Sequence, residues 1–134
     1  MVLVLAVVST LLVNVRLDSA QATPNLVEFT AGITGGANAN PQGITLGPDG
    51  NMWFTELLGD RIGNITPGGV ITEFSAGITA GARPNSIALG PDGNLWFTES
   101  QGRRIGVMAP GQAATEYATG ISPTVSSLGH IVKG

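Results

Sequence analysis

The sequence predicts an all-β protein built from repeated four-stranded antiparallel sheets, on three observations. The first is composition: 20 Gly and 8 Pro in 134 residues, an excess that breaks helices and excludes a helical bundle or coiled coil. The second is an internal repeat. Residues 41–72 laid against residues 84–115, at a spacing of 43, coincide at 19 of 32 positions. The third is the pattern within each period: four short extended runs separated by turn chemistry. Four strands per repeat of this length is the arithmetic of a propeller blade. A leucine-rich solenoid has a shorter period, and helical repeats tolerate far less Gly and Pro.

Taken in order, the chain begins with a nearly unbroken apolar run over residues 1–15, followed by Arg16 and Asp18. Ala20-Gln21-Ala22 then forms a small-residue cleavage signature. The run is shorter than the roughly 20 residues that span a bilayer. It reads as a secretory signal cleaved after Ala22, which places the mature protein outside the cytoplasm, secreted or periplasmic. No Lys or Arg precedes the run, so the basic leader is missing, and a buried strand or an uncleaved anchor are the alternatives. Residues 25–32 read as a strand without a blade of its own. The mature region, residues 23–134, is expected to be a partial propeller.

Within the second repeat, Ile87-Ala88-Leu89 runs into the turn Gly90-Pro91-Asp92-Gly93. Pro pre-sets the first central angle of that turn, Asp bonds back to the backbone and Gly accepts a positive φ. Residues 94–99 leave the turn as an aromatic, β-favouring strand. Gln101-Gly102-Arg103 turns the chain into residues 104–109, Pro110-Gly111 turns it again, and residues 115–118 close the sheet. The first repeat matches, with Gly47-Pro48-Asp49-Gly50 and Trp53-Phe54-Thr55-Glu56 at the corresponding places. Upstream, residues 28–34 resemble residues 73–79 and 116–122, and the first linker is two residues longer, which puts the insertion in a loop. A third repeat starts at Glu116, and residues 128–134 align with residues 84–90. Closed propellers have about 4–8 blades, so two repeats read as an incomplete ring with a natural N-terminus and a truncated C-terminus. A cyclic homotrimer of six blades is the one route to closure by a homo-oligomer.

Chemistry is sparse. The net charge of −3, with six Lys and Arg, provides no electrostatic footprint for nucleic acid. The absence of Cys excludes disulfides, thiolate metal sites and a cysteine nucleophile. There is no phosphate-binding loop, nucleophile elbow or HExxH zinc motif. Asp49 and Asp92 sit where turns ordinarily place Asp, and Asn64-Ile65-Thr66 is a glycosylation acceptor sequence. Arg61 and Arg104 are placed to pair with carboxylates or to cover an aromatic face.

The frame G-P-D-G-N-[LM]-W-F-T-E, then R-I-G, then T-E-[FY], resembles the streptogramin lyases, β-propellers of the virginiamycin B lyase type. The resemblance covers essentially all of residues 24–134. It implies a Mg²⁺-dependent reaction in which a proton α to an ester carbonyl is abstracted and a cyclic depsipeptide substrate opens by β-elimination. It further implies a His one residue after the Pro that precedes the inner strand, with Glu residues nearby. Carried over, Glu56 and Glu99 match the Glu of the motif, and Gln42 and Asn85 stand at the His position. His130, the one histidine, falls near that position but one residue late, with Leu128 replacing Pro. Glu56, Glu99 and His130 are therefore the candidate catalytic residues. A Glu in every blade is also what a repeated structural bond would require. The alternative function is a non-catalytic, secreted propeller platform that binds a ligand or protein. For the chain as it stands, the expectation is a lyase-like fold without activity of its own.

Overall fold

The computed structural model describes residues 26–122, 124 and 128–133; the leader and its cleavage site lie outside them. The described residues form two four-stranded antiparallel sheets, each ordered as in the sequence. Blade 1 contains β1 (Pro41–Leu46), β2 (Met52–Glu56), β3 (Arg61–Ile65) and β4 (Ile71–Phe74). Blade 2 contains β5 (Pro84–Leu89), β6 (Leu95–Glu99), β7 (Arg104–Met108) and β8 (Thr115–Tyr117). The sheets do not close into a ring. The two-residue insertion falls in a short 3-10 turn, Gly36–Asn38.

Residues 26–32 are not a strand, contrary to expectation. A strand is held by ladder hydrogen bonds, and this stretch pairs with no strand of either sheet, the outer edge of β4 included. Its Phe29 instead packs over Gly69, where an added Cβ would stand 2.1 Å from the ring.

The Gly-Pro-Asp-Gly turns work as the sequence suggests. The Asp49 carboxylate accepts bonds from the Asn51 N–H (3.2 Å) and the Trp53 indole N–H (3.0 Å). Asp92 accepts the same bonds from Asn94 (3.1 Å) and Trp96 (3.1 Å). Each turn therefore orients the Trp of the strand that leaves it. Asp49 is held below the usual carboxylate range: burial pulls it upward, but the bonds from Trp53 and Asn51 outweigh that. The Gly of each R-I-G has a different cause. Gly63 pairs with Phe54 and Gly106 with Phe97, and a Cβ at either Gly would strike the ring at 2.3 or 2.1 Å.

Side chains alternate along each strand, which gives every blade two unlike faces. Trp53 and Thr55 of blade 1 face blade 2, whereas Phe97 and Glu99 of blade 2 face back. Between the sheets Trp53, Ile62, Ile87, Leu95, Phe97 and Met108 form the core, with Phe74 stacked on Trp53 at 5.2 Å. One hydroxyl sets the register between blades. Thr55 Oγ1 accepts from the Gly43 N–H (2.9 Å) and donates to the Asn85 carbonyl (2.9 Å). Asp60, in the β2–β3 turn, accepts from the Gly81 and Arg83 N–H groups (2.7 and 2.9 Å) and ties down the linker between blades. Among the described residues no helix is long and apolar enough to cross a membrane.

Candidate functional site

Glu56 ends β2 opposite Arg61 on β3, and Gly63, two residues on, pairs with Glu73 on β4. Three strands thus bring two carboxyls and one guanidinium together. Blade 2 repeats the cluster with Glu99, Arg104 and Glu116. Glu56 and Glu99 have no solvent exposure, and neither receives a hydrogen bond from a permanent donor. Gly59 and Gly102 roof them, since a Cβ at either would stand 2.8 Å from a carboxyl oxygen.

The second carboxyl of each cluster is well served. Glu73 accepts from the Thr34 N–H at 2.5 Å. Glu116 accepts from the Thr79 N–H (2.5 Å) and hydroxyl (2.6 Å). Arg61 Nε lies 3.8 Å from Glu73, and Arg104 bridges Glu99 and Glu116 at 3.6 Å each. Burial, then the neighbouring carboxylate, pushes Glu56 and Glu99 up to about 7, with Arg61 and Arg104 countering in part. Glu73 and Glu116 lie below their ordinary value: burial raises them, but the bonds from Thr34 and Thr79 prevail. Two adjacent carboxyls can bond to each other only when one carries a proton, and burial favours that proton on Glu56 and Glu99.

The arginines therefore pair with carboxylates, one of the two readings that the sequence left open. Glu73, Glu116, Thr34 and Thr79 were not singled out as site residues. Their signal was the recurrence of Glu, Arg and Glu at matching places in both repeats, together with the Thr of the upstream motif. Asn64, in the acceptor sequence for glycosylation, lies buried within β3, one residue before its end.

The other candidates stand apart from the carboxyls. Gln42 is exposed and bonds to Asn40 (2.7 Å), and Asn85 is half-buried. Thr98 Oγ1 accepts from the Ser86 N–H (3.2 Å) and donates to the Gly129 carbonyl (2.8 Å), repeating the Thr55 arrangement. Gly129 is thus the counterpart of Asn85 and Gln42. His130 follows it by one residue and is exposed. No group of three or more His, Cys, Asp or Glu among the described residues could hold a metal ion.

The model of the virginiamycin B lyase family matches residues 20–127. The chain belongs to that family. Three solved structures agree with it. A catalytically inactive variant of the virginiamycin B lyase from Staphylococcus aureus, solved with quinupristin, is 43% identical with a TM-score of 0.58, covering 66% of this chain and 29% of its own. The selenomethionine form of the Staphylococcus aureus enzyme is 40% identical with a TM-score of 0.61, over 71% of this chain and 31% of that one. A streptogramin B lyase is 39% identical with a TM-score of 0.60, over 71% and 30%. The chain therefore spans less than a third of the length of these family members. A comparison with curated proteins finds no match. The blades are partial-propeller blades of the virginiamycin B lyase type, as the repeat frame suggested.

Proposed function

We propose that this chain is a streptogramin-lyase-like blade module that supplies scaffold and has no lyase activity of its own. One observation carries the reading: the three candidate residues do not converge. Glu56 and Glu99 are sealed beneath Gly59 and Gly102 and clasped by a second Glu and an Arg. His130 is exposed on the segment beyond blade 2. An elimination of the kind the family resemblance implies needs a base within about 3 Å of the proton it removes. It also needs a donor or cation at the oxygen where charge develops.

A Glu near 7 has the proton affinity of a general base at neutral pH, but these two have no open side toward a substrate. They act instead as latches: each, when protonated, can donate to the second Glu, which in turn holds the linker leading into its own blade. The described donors do not fit Mg²⁺ either. Each carboxyl pair shares its space with a guanidinium, and among the described residues no third carboxylate or His joins it. Export of the mature chain after cleavage at Ala22 is part of the same proposal, and N-terminal sequencing of secreted protein tests it.

The activity test incubates the full chain with quinupristin and Mg²⁺. Opening by β-elimination leaves the mass unchanged, so product is followed by chromatographic retention and by absorbance of the new double bond. The expected result is no linear product above the protein-free control. Turnover that disappears in His130→Ala would overturn the proposal.

A further inference from the structure

Two Asp-Gly peptides, Asp49-Gly50 and Asp92-Gly93, stand in turns at equivalent places in the repeats, with both Asp residues exposed. An Asp-Gly peptide is unusually open to succinimide formation, because Gly puts no side chain between its nitrogen and the Asp carboxyl. In that reaction the Gly nitrogen attacks the carboxyl carbon and a C–N bond forms. One carboxyl oxygen departs as water, taking the acid proton and the N–H proton with it. A water molecule then reopens the ring at either carbonyl, restoring Asp or leaving isoaspartate, whose main chain runs through the side chain. No oxidant or reductant takes part. The reaction requires a protonated carboxyl, freedom for it to swing over the next nitrogen, and a Gly N–H not otherwise engaged.

Each turn withholds all three. Asp49 Oδ1 accepts from the Asn51 N–H and the Trp53 indole, and Oδ2 accepts from the Asn51 side-chain amide at 2.8 Å. Asp92 is held in the same way by Asn94, whose amide lies at 2.8 Å, and by Trp96, whose indole also reaches Oδ2 at 3.2 Å. The Gly N–H groups close the turns, Gly50 onto the Gly47 carbonyl (3.3 Å) and Gly93 onto the Gly90 carbonyl (3.1 Å). Bonds to a carboxylate favour its ionised form, and Asp92, like Asp49, is held below its ordinary value, here by Asn94 and then Trp96. Packing gives no shelter: a Cβ at Gly50 or Gly93 would meet nothing within 4 Å. Hydrogen bonds alone restrain these peptides. Gly47 makes room for the bracket, since a Cβ there would stand 2.3 Å from the Trp53 ring.

We propose that Asp49 and Asp92 are latent isoaspartate sites, and that the Asn and Trp of G-P-D-G-N-[LM]-W guard them by occupying both carboxylate oxygens. Isomerisation at either site lengthens the β1–β2 or β5–β6 connection by one main-chain carbon and takes the acceptor from the Trp. The damage therefore falls on strand register.

The test ages the full chain at neutral pH, folded and in urea, and reads isoaspartate at each position by enzymatic methylation and fragmentation mass spectrometry. Folded chain is expected to accrue it at least ~10-fold more slowly than unfolded chain at both positions, the effect of one or more bonds to a charged group. Trp96→Phe keeps an aromatic ring and removes the N–H; with circular dichroism unchanged, it should speed conversion at Asp92 about 10-fold and leave Asp49 as it was. Trp53→Phe should do the converse. Equal rates in folded and urea-unfolded chain overturn the proposal. So does a Trp96→Phe variant that ages like wild type, or one that ages faster at both turns alike, which would mark general loosening rather than a lost guard.

Discussion

Replacing Glu99 by glutamine should remove much of a pH dependence that the folded chain otherwise carries. Glu99 has its carboxyl pushed from 4.5 up to about 7 by burial and then by Glu116. Between these pH values the folded chain keeps a proton that the unfolded chain releases. Stability from this site is complete below about pH 4.5 and is lost as pH rises through 7, about 3 kcal/mol in all. Glu56 contributes a parallel loss across the same window. Glu116, held below its ordinary value, works in the opposite direction, but only below that window. A glutamine amide at position 99 can donate to Glu116 at every pH. Urea unfolding followed by Trp emission from about pH 5 to pH 8 should show the variant matching wild type at the acid end. At the alkaline end it should be more stable by about 3 kcal/mol. Glu56→Gln combined with Glu99→Gln should flatten the profile. A slope that survives in the double variant would refute the shared-proton reading.

Three further outcomes follow from the packing. Gly106→Ala puts a Cβ 2.1 Å from the Phe97 ring, and overpacking of that kind should lower the urea midpoint by about 1–3 kcal/mol of stability. Thr55→Val leaves the Gly43 N–H and the Asn85 carbonyl without their shared partner; a loss of about 1–3 kcal/mol in the same assay is expected, with faster amide exchange at Gly43. Asp60→Ala frees the Gly81 and Arg83 N–H groups, and their exchange protection should fall with little change in the β-sheet circular dichroism.

The blades were legible in the sequence because turn chemistry and strand alternation are local. Gly-Pro-Asp-Gly and the Trp four residues beyond its Asp are written within a few positions, and the structure joins them by a bond of about 3 Å. The carboxyl clusters were less legible. Glu56 and Glu73 lie far apart in the chain and meet only after β2, β3 and β4 take their register. Their pairing was suggested through Arg61 and Arg104, but the proton shared between carboxyls depends on burial, which no spacing reveals. The displacement of His130 by one residue was visible in the alignment, and the Thr98–Gly129 bond gives it a physical measure. The expected strand over residues 25–32 misled because an apolar pattern does not say whether a stretch will pair with an available edge or, as Phe29 does over Gly69, pack by its side chains.

The hydroxyl that sets blade register addresses only main chain. Thr55 and Thr98 donate to carbonyl oxygens, so the acceptor position makes no demand on its own side chain, and Asn85 and Gly129 fill it equally. A gene that duplicates such a unit inherits a joint indifferent to what is mounted on it. Substitution at that station can therefore proceed in each copy separately, through polar, small or ionisable residues, while the joint stays intact. Diversification of this architecture is in that respect uncoupled from its assembly.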